Sequence, residues 1–181
     1  MKKVLFILLL IIIPIYAQDV ELEAIGLSGG AFWAQNGWDP GFVVEVNLDM
    51  GEVLDFIFFQ PTVSYLHANK IEEFDNIEEE LTLTHIILGT KIIGYITNRP
   101  RGPYFGTALN YHIISSDKFR QFEISNSTEV LTSNNQKVSM SILTGYIQKF
   151  RRFSLFLEAR YTFIPDNFSN ALVTAGFLYN L

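Results

Sequence analysis

The sequence predicts an all-β chain, an eight-stranded antiparallel up-and-down barrel that crosses a membrane. Three observations predict it. Apolar and polar residues alternate with period two through most of the chain after residue 17, and no helical period is sustained. The alternating segments suit tilted membrane strands of ~9–11 residues better than soluble strands of ~5–6. The connections between them alternate short and long, as in barrels with short turns on one side of the membrane and long loops on the other.

Residues 1–17 read as a signal peptide. Lys2 and Lys3 form a positive start, Val4 to Ile15 is an unbroken apolar run with one Pro, and Ala17 supplies the small residue for cleavage. The run falls short of the ~18 residues that span a bilayer as a helix. An uncleaved anchor is the alternative. No Cys follows the run, which excludes a lipoprotein anchor. Residues 18–181 are then the barrel domain.

Val20 to Trp33 is the first strand, a weaker pattern in which Gly26, Gly29 and Gly30 suggest a bend or close strand packing. Phe42 to Met50 is the clearest. Phe42, Val44, Val46, Leu48 and Met50 point one way, and Val43, Glu45, Asn47 and Asp49 point the other. Ile57 to Leu66 follows, with Ile57, Phe59, Pro61, Val63 and Tyr65 opposite Gln60, Thr62 and Ser64. Pro61 lacks a ladder donor and belongs at a bulge or rim. Thr82 to Ile96, Tyr104 to Ser115 and Val138 to Ile147 are the next three. Phe153 to Phe163 sets Phe153, Leu155, Leu157, Ala159, Tyr161 and Phe163 against Ser154, Phe156, Glu158, Arg160 and Thr162. Ala171 to Leu181 closes the set, with Ala171, Val173, Ala175, Phe177, Tyr179 and Leu181 on one face.

Gly51 to Asp55, Thr97 to Pro103 and Gln148 to Arg152 are short connections. Ala34 to Pro40, Ala68 to Leu81 and Ser116 to Gln136 are long, and Pro165 to Asn170 is moderate. The short turns carry Arg99, Arg101, Lys149, Arg151 and Arg152, whereas the second long loop carries Glu72, Glu73, Asp75, Glu78, Glu79 and Glu80. Such an acidic run reads as a solvated loop. Within 116–136, Phe119 to Ile124 and Glu129 to Thr132 are strand-like around Asn126-Ser127, so the fifth and sixth strands should continue as a protruding hairpin.

Alternation alone does not separate a membrane barrel from a soluble lipocalin-like carrier. Three features favour the membrane. The polar face holds Glu45, Lys91, Glu158 and Arg160 beside small residues. Aromatic residues gather near strand ends, namely Phe42, Phe59, Tyr65, Tyr95, Tyr104, Phe153, Phe163 and Tyr179. The last strand is apolar to residue 181. Eight strands leave room for side chains and no open channel. Glu45 and Glu158 should then be matched by Lys91 and Arg160, since lone buried charges cost several kcal/mol in order of magnitude.

Thr174 to Leu181 leads with a polar residue, places Gly176 two later, and ends on the apolar Tyr179 and Leu181. This resembles the sorting signal of outer-membrane barrels. With Leu157-Glu158-Ala159-Arg160-Tyr161 and Pro103-Tyr104-Phe105-Gly106, the chain resembles the small eight-stranded outer-membrane barrel family that contains the OmpA- and OmpX-like barrels. The family usually ends in Phe or Trp, and this chain ends in Leu181. The resemblance implies the outer membrane of a Gram-negative-type bacterium. It also implies assembly by the barrel-assembly machinery and contact with lipid and lipopolysaccharide.

The function classes narrow accordingly. Cysteine is absent, so thiol catalysis and Cys-ligated metal are excluded. The net charge of −6 becomes −8 without Lys2 and Lys3, and no basic stripe suits nucleic acid. No cofactor or metal is expected: His67, His85 and His112 lack metal-ligand spacing. His67 reads as a rim residue and His85 as a lumen residue. His112 and Ser116 share a face but lie over ~13 Å apart along a strand. A structural or surface-interaction role through the outer loops is therefore expected, with a surface partner at 116–136. A lipid A-modifying enzyme on the same barrel and a periplasmic carrier are the alternatives.

Overall fold

The computed structural model describes residues 21–35, 38–54, 56–74, 77–97, 100–122, 127–164 and 169–181. The expected signal peptide at 1–17, and Asp55, Asp75, Arg99, Asn126 and 165–168 of the expected connections, lie outside the described residues.

The strands are β1 (Ala24–Ala34), β2 (Gly41–Asp49), β3 (Glu52–Leu54), β4 (Ile57–Phe74), β5 (Ile77–Tyr95), β6 (Gly102–Phe122), β7 (Ser127–Lys149), β8 (Phe153–Phe163) and β9 (Asn170–Asn180). The sheet runs β2-β1-β9-β8-β7-β6-β5-β4, and β2 pairs with β4 to close eight staves into a barrel. The short β3 pairs with β4 beside this ring. Every pairing is antiparallel. The seam joins β1 to β9 from Ala24↔Asn180 to Ala34↔Asn170. Close packing at this seam explains Gly30, where a Cβ would come within 1.9 Å of the Val173 carbonyl oxygen.

Pro61 sits where the β2–β4 ladder stops, at Asn47↔Thr62. Beyond that point the Met50 N–H donates to the Phe59 carbonyl, and the Phe59 N–H donates to the Gly51 carbonyl. Two residues thus face one, and Gly51 takes φ +75°. Alternation along the strand aims the donor that Pro61 lacks toward the same break. Phe59, expected on the outer face, is 2% exposed because it lies in this bulged corner.

The alternation sorts the remaining side chains as expected. Val44, Val46, Val63, Ile86, Leu88, Ile92, Met140, Ile142, Leu155, Leu157, Phe177 and Tyr179 are exposed on the outside. Glu45, Asn47, Thr62, Ser64, Lys91, Ser141, Glu158, Arg160 and Thr174 are buried inside. A surface this apolar belongs in hydrocarbon, and closure leaves no unpaired edge around the barrel wall.

Two expectations need correction. Phe59, Tyr95 and Tyr104 are not part of an outer aromatic girdle, because Phe59 is buried in the bulged corner and both tyrosines are buried inside the barrel at its short-turn end. Ala68 to Leu81 is not a loop: β4 and β5 stay paired to Phe74↔Ile77. The neighbouring β6 supplies a cation to this acidic stretch, where Lys118 Nζ lies 2.5 Å from Glu79 Oε2. β6 and β7 likewise continue to Phe122↔Ser127, the hairpin expected from the sequence. On the flanks, β2–β4 pairing stops at Phe42↔His67 and β7–β8 pairing stops at Met140↔Phe163. Four strands, β4 to β7, therefore rise past the rest of the barrel as one sheet.

Candidate functional site

The lumen is built in layers. Toward the long-loop end, Phe32, Val43, Leu66, Leu83, Ile87, Ile114 and Leu172 form an apolar cluster. Toward the short-turn end, Phe58, Ile93, Tyr95, Tyr104, Leu143, Ile147, Phe156 and Leu178 form another. Polar and charged side chains lie between them. The sequence signals these plugs as adjacent apolar pairs, such as Ile86-Ile87, Ile92-Ile93 and Ile113-Ile114, where both faces of a strand are apolar.

The four charged residues named from sequence meet in the central layer. Lys91 Nζ on β5 donates to Glu45 Oε1 at 2.7 Å, Asn47 Oδ1 at 2.9 Å and Glu158 Oε2 at 3.1 Å. Arg160 Nη2 on β8 donates to Glu158 Oε1 at 2.6 Å and Glu45 Oε1 at 2.9 Å. Ser64 Oγ donates to Glu45 Oε2 at 2.6 Å, and the Tyr104 hydroxyl donates to Glu158 Oε2 at 3.1 Å. Two carboxylates and two cations make a neutral set, and hydroxyls satisfy the remaining lone pairs. A cavity of about 10 Å³ beside Gln60, Lys91, Tyr104 and Glu158 is no larger than one water.

Sequence spacing missed a second cluster. The register places His85, His112 and Ser139 on three adjacent strands. His112 Nδ1 lies 2.6 Å from His85 Nε2, and His112 Nε2 lies 2.5 Å from Ser139 Oγ. The partner of His112 is therefore a cross-strand Ser and not Ser116. Asn110 Nδ2 extends the row to Ser141 Oγ at 2.7 Å, and Ser141 reaches Thr162 Oγ1 at 2.9 Å. His85 Nδ1 has no hydrogen-bond partner among the described residues. All three members of the His–His–Ser chain are buried. His67 sits at the outer rim against the Phe42 ring, as expected.

The residues of the terminal pattern lie along β9 and just past it. Thr174 is buried in the lumen. Gly176 packs near Ser28 and Phe156, and Tyr179 and Leu181 are exposed. The Leu181 N–H donates to the Glu23 carbonyl, extending the seam.

Fold and lumen together define a small, plugged, eight-stranded transmembrane barrel. A solved structure carries the same fold, and further solved structures show weaker likeness. Neisserial surface protein A matches with a TM-score of 0.58 at 14% identity, over 91% of this chain and 100% of that one. Ail of Yersinia pestis, the attachment invasion locus protein, has a TM-score of 0.47 at 12% identity, over 87% of this chain and 95% of that one. The N-terminal β-barrel domain of Pseudomonas aeruginosa OprF has a TM-score of 0.43 at 10% identity, over 88% and 98%. No family model and no curated protein matches the chain.

Proposed function

We propose that the chain is an integral outer-membrane protein that acts through its protruding sheet, with the barrel as a closed anchor. The four-stranded extension of β4 to β7 carries this reading. Among the described residues no strand pairs with this edge of β7 above Met140, and Leu131 to Asn135 on it are exposed. An open edge offers backbone donors and acceptors to an added strand. Paired charges fill the centre of the lumen. Lipopolysaccharide and outer-membrane lipid would surround the wall. Residues 1–17 would direct export, and Thr174, Gly176, Tyr179 and Leu181 would present the terminal strand to the barrel-assembly machinery.

A lipid A-modifying enzyme would need its nucleophile within reach of lipid. Ser139 and His112 are buried inside the barrel, which weighs against that role. A carrier of apolar ligands would need an apolar cavity inside, where this lumen holds Glu45, Lys91, Glu158 and Arg160.

The test is adhesion. Cells displaying the full chain are compared with cells displaying a variant whose 71–79 and 119–132 segments are replaced by two-residue turns. Binding to immobilised matrix proteins should fall to background while the barrel stays folded. Unchanged binding by the shortened barrel would contradict the proposal.

A further inference from the structure

The rim at the short-turn end is divided by charge. Glu21, Glu23, Asp49 and Glu52 lie on its β1–β3 side. Arg101 in the β5–β6 turn, and Lys149, Arg151 and Arg152 at the β7–β8 turn, lie on the other. No Asp or Glu occurs in residues 96–103 or 148–157. The two basic turns are neighbours, because β6 pairs with β7 from Gly102↔Ile147. Lys149 turns inward and lines the mouth of the barrel with Glu23 and Asp49. Arg101, Arg151 and Arg152 are exposed, and their side chains make no ion pair with a described residue.

The β7–β8 turn is held firmly. The Phe150 N–H donates to the Phe153 carbonyl at 2.8 Å, and the Asn180 N–H donates to the Arg152 carbonyl at 3.0 Å. The Phe150 and Phe153 rings stack with centroids 4.7 Å apart and planes 22° apart. Both rings are exposed, and strand alternation sets them on the lipid-facing side. Arg151 and Arg152, both exposed, form the tip of the turn between these two apolar rings. In a membrane-spanning barrel this is the level where acyl chains give way to headgroups.

We propose that the Phe150–Phe153 turn, together with Arg101 on the adjacent turn, binds an anionic phospholipid of the leaflet on the short-turn side. The rings pack on the glycerol and upper acyl region. The guanidinium forks donate to the phosphate oxygens, a geometry that suits Arg better than Lys. Because no acid on these turns offsets them, the positive charge favours a net-negative headgroup over a zwitterionic one. Each basic side chain near such a surface strengthens binding by roughly fivefold. The inference rests on the membrane-barrel reading.

The full chain is folded in nanodiscs of phosphatidylcholine and phosphatidylglycerol in equal parts, and its folded band is checked on an unheated gel. Retention of phosphatidylglycerol against phosphatidylcholine is then followed by native mass spectrometry. The unaltered chain should retain phosphatidylglycerol at least about fivefold better. The R151Q/R152Q variant should lose that preference, and F150A/F153A should weaken both lipids alike. Equal retention of the two lipids by the unaltered chain, or an undiminished preference in R151Q/R152Q, would overturn the proposal while leaving the barrel intact. A chain without a folded band would overturn the membrane barrel and this site with it.

Discussion

Arg160 on β8 donates from Nη2 to Glu45 Oε1 on β2 at 2.9 Å, although β9 and β1 stand between their strands. The contact crosses the lumen. It ties opposite walls of the barrel together through a set of charges with no net charge. Its worth lies less in net stability than in the cost of breaking it, because a buried ion without its partner is strongly disfavoured.

Arg160→Met should therefore destabilise the barrel by about 3–5 kcal/mol, since Glu45 and Glu158 would share Lys91 alone. Adding Glu45→Gln to that variant should recover part of the loss. Urea unfolding of the detergent-folded chain, arranged as a double-mutant cycle, measures the coupling. Additive losses would show that the two residues act independently.

Outside and inside can be distinguished on neighbouring residues. Val44 is exposed on the wall, next to the buried Val43. Val44→Arg should cost about 2–4 kcal/mol if it meets lipid near the midplane. Its effect should shrink in variants placed closer to a rim, and folding titrations in short-chain phosphatidylcholine vesicles report it. A neutral Val44→Arg would reverse the assignment of faces.

The seam depends on a missing side chain. A Cβ at residue 30 would overlap the Val173 carbonyl. Gly30→Val should cost about 2 kcal/mol or more through forced separation of β1 from β9. The temperature at which the folded gel band disappears should drop. Gly29→Val is the control, since its nearest atom would lie at 3.6 Å. Equal behaviour of the two variants would place the seam elsewhere.

His85 and His112 should show the asymmetry of a buried hydrogen-bonded pair. His112→Leu leaves His85 and Ser139 without their partner and should cost about 1–3 kcal/mol. The double change His85→Leu with His112→Leu removes both polar rings and should cost less than the single one. Equilibrium unfolding of the three proteins gives the order directly. A double variant less stable than His112→Leu would mean that the pair contributes net stability.

Much of this fold is legible in the sequence. Period-two alternation named the staves and the faces, because one wall of each strand meets lipid. The Glu45, Lys91, Glu158 and Arg160 set is legible because charges in a closed lumen need partners. Register was not readable, and with it went the His85–His112–Ser139 chain, whose members lie on three different strands. The acidic run from Glu72 to Glu80 reads as a solvated loop because like charges disfavour pairing, and it is the register that sets β6, with Lys118, against Glu79. Tyr95 and Tyr104 resembled a girdle because both lie near strand ends. Their inward parity put them in the plug instead.

The most direct test of the membrane barrel is electrophoretic. The detergent-extracted membrane fraction is run on a gel with and without heating. A closed barrel with an apolar wall should resist detergent unfolding until heated, giving an unheated band of different mobility that converts on boiling. A single band at both temperatures, with the protein recovered in the soluble fraction, would contradict the barrel in lipid.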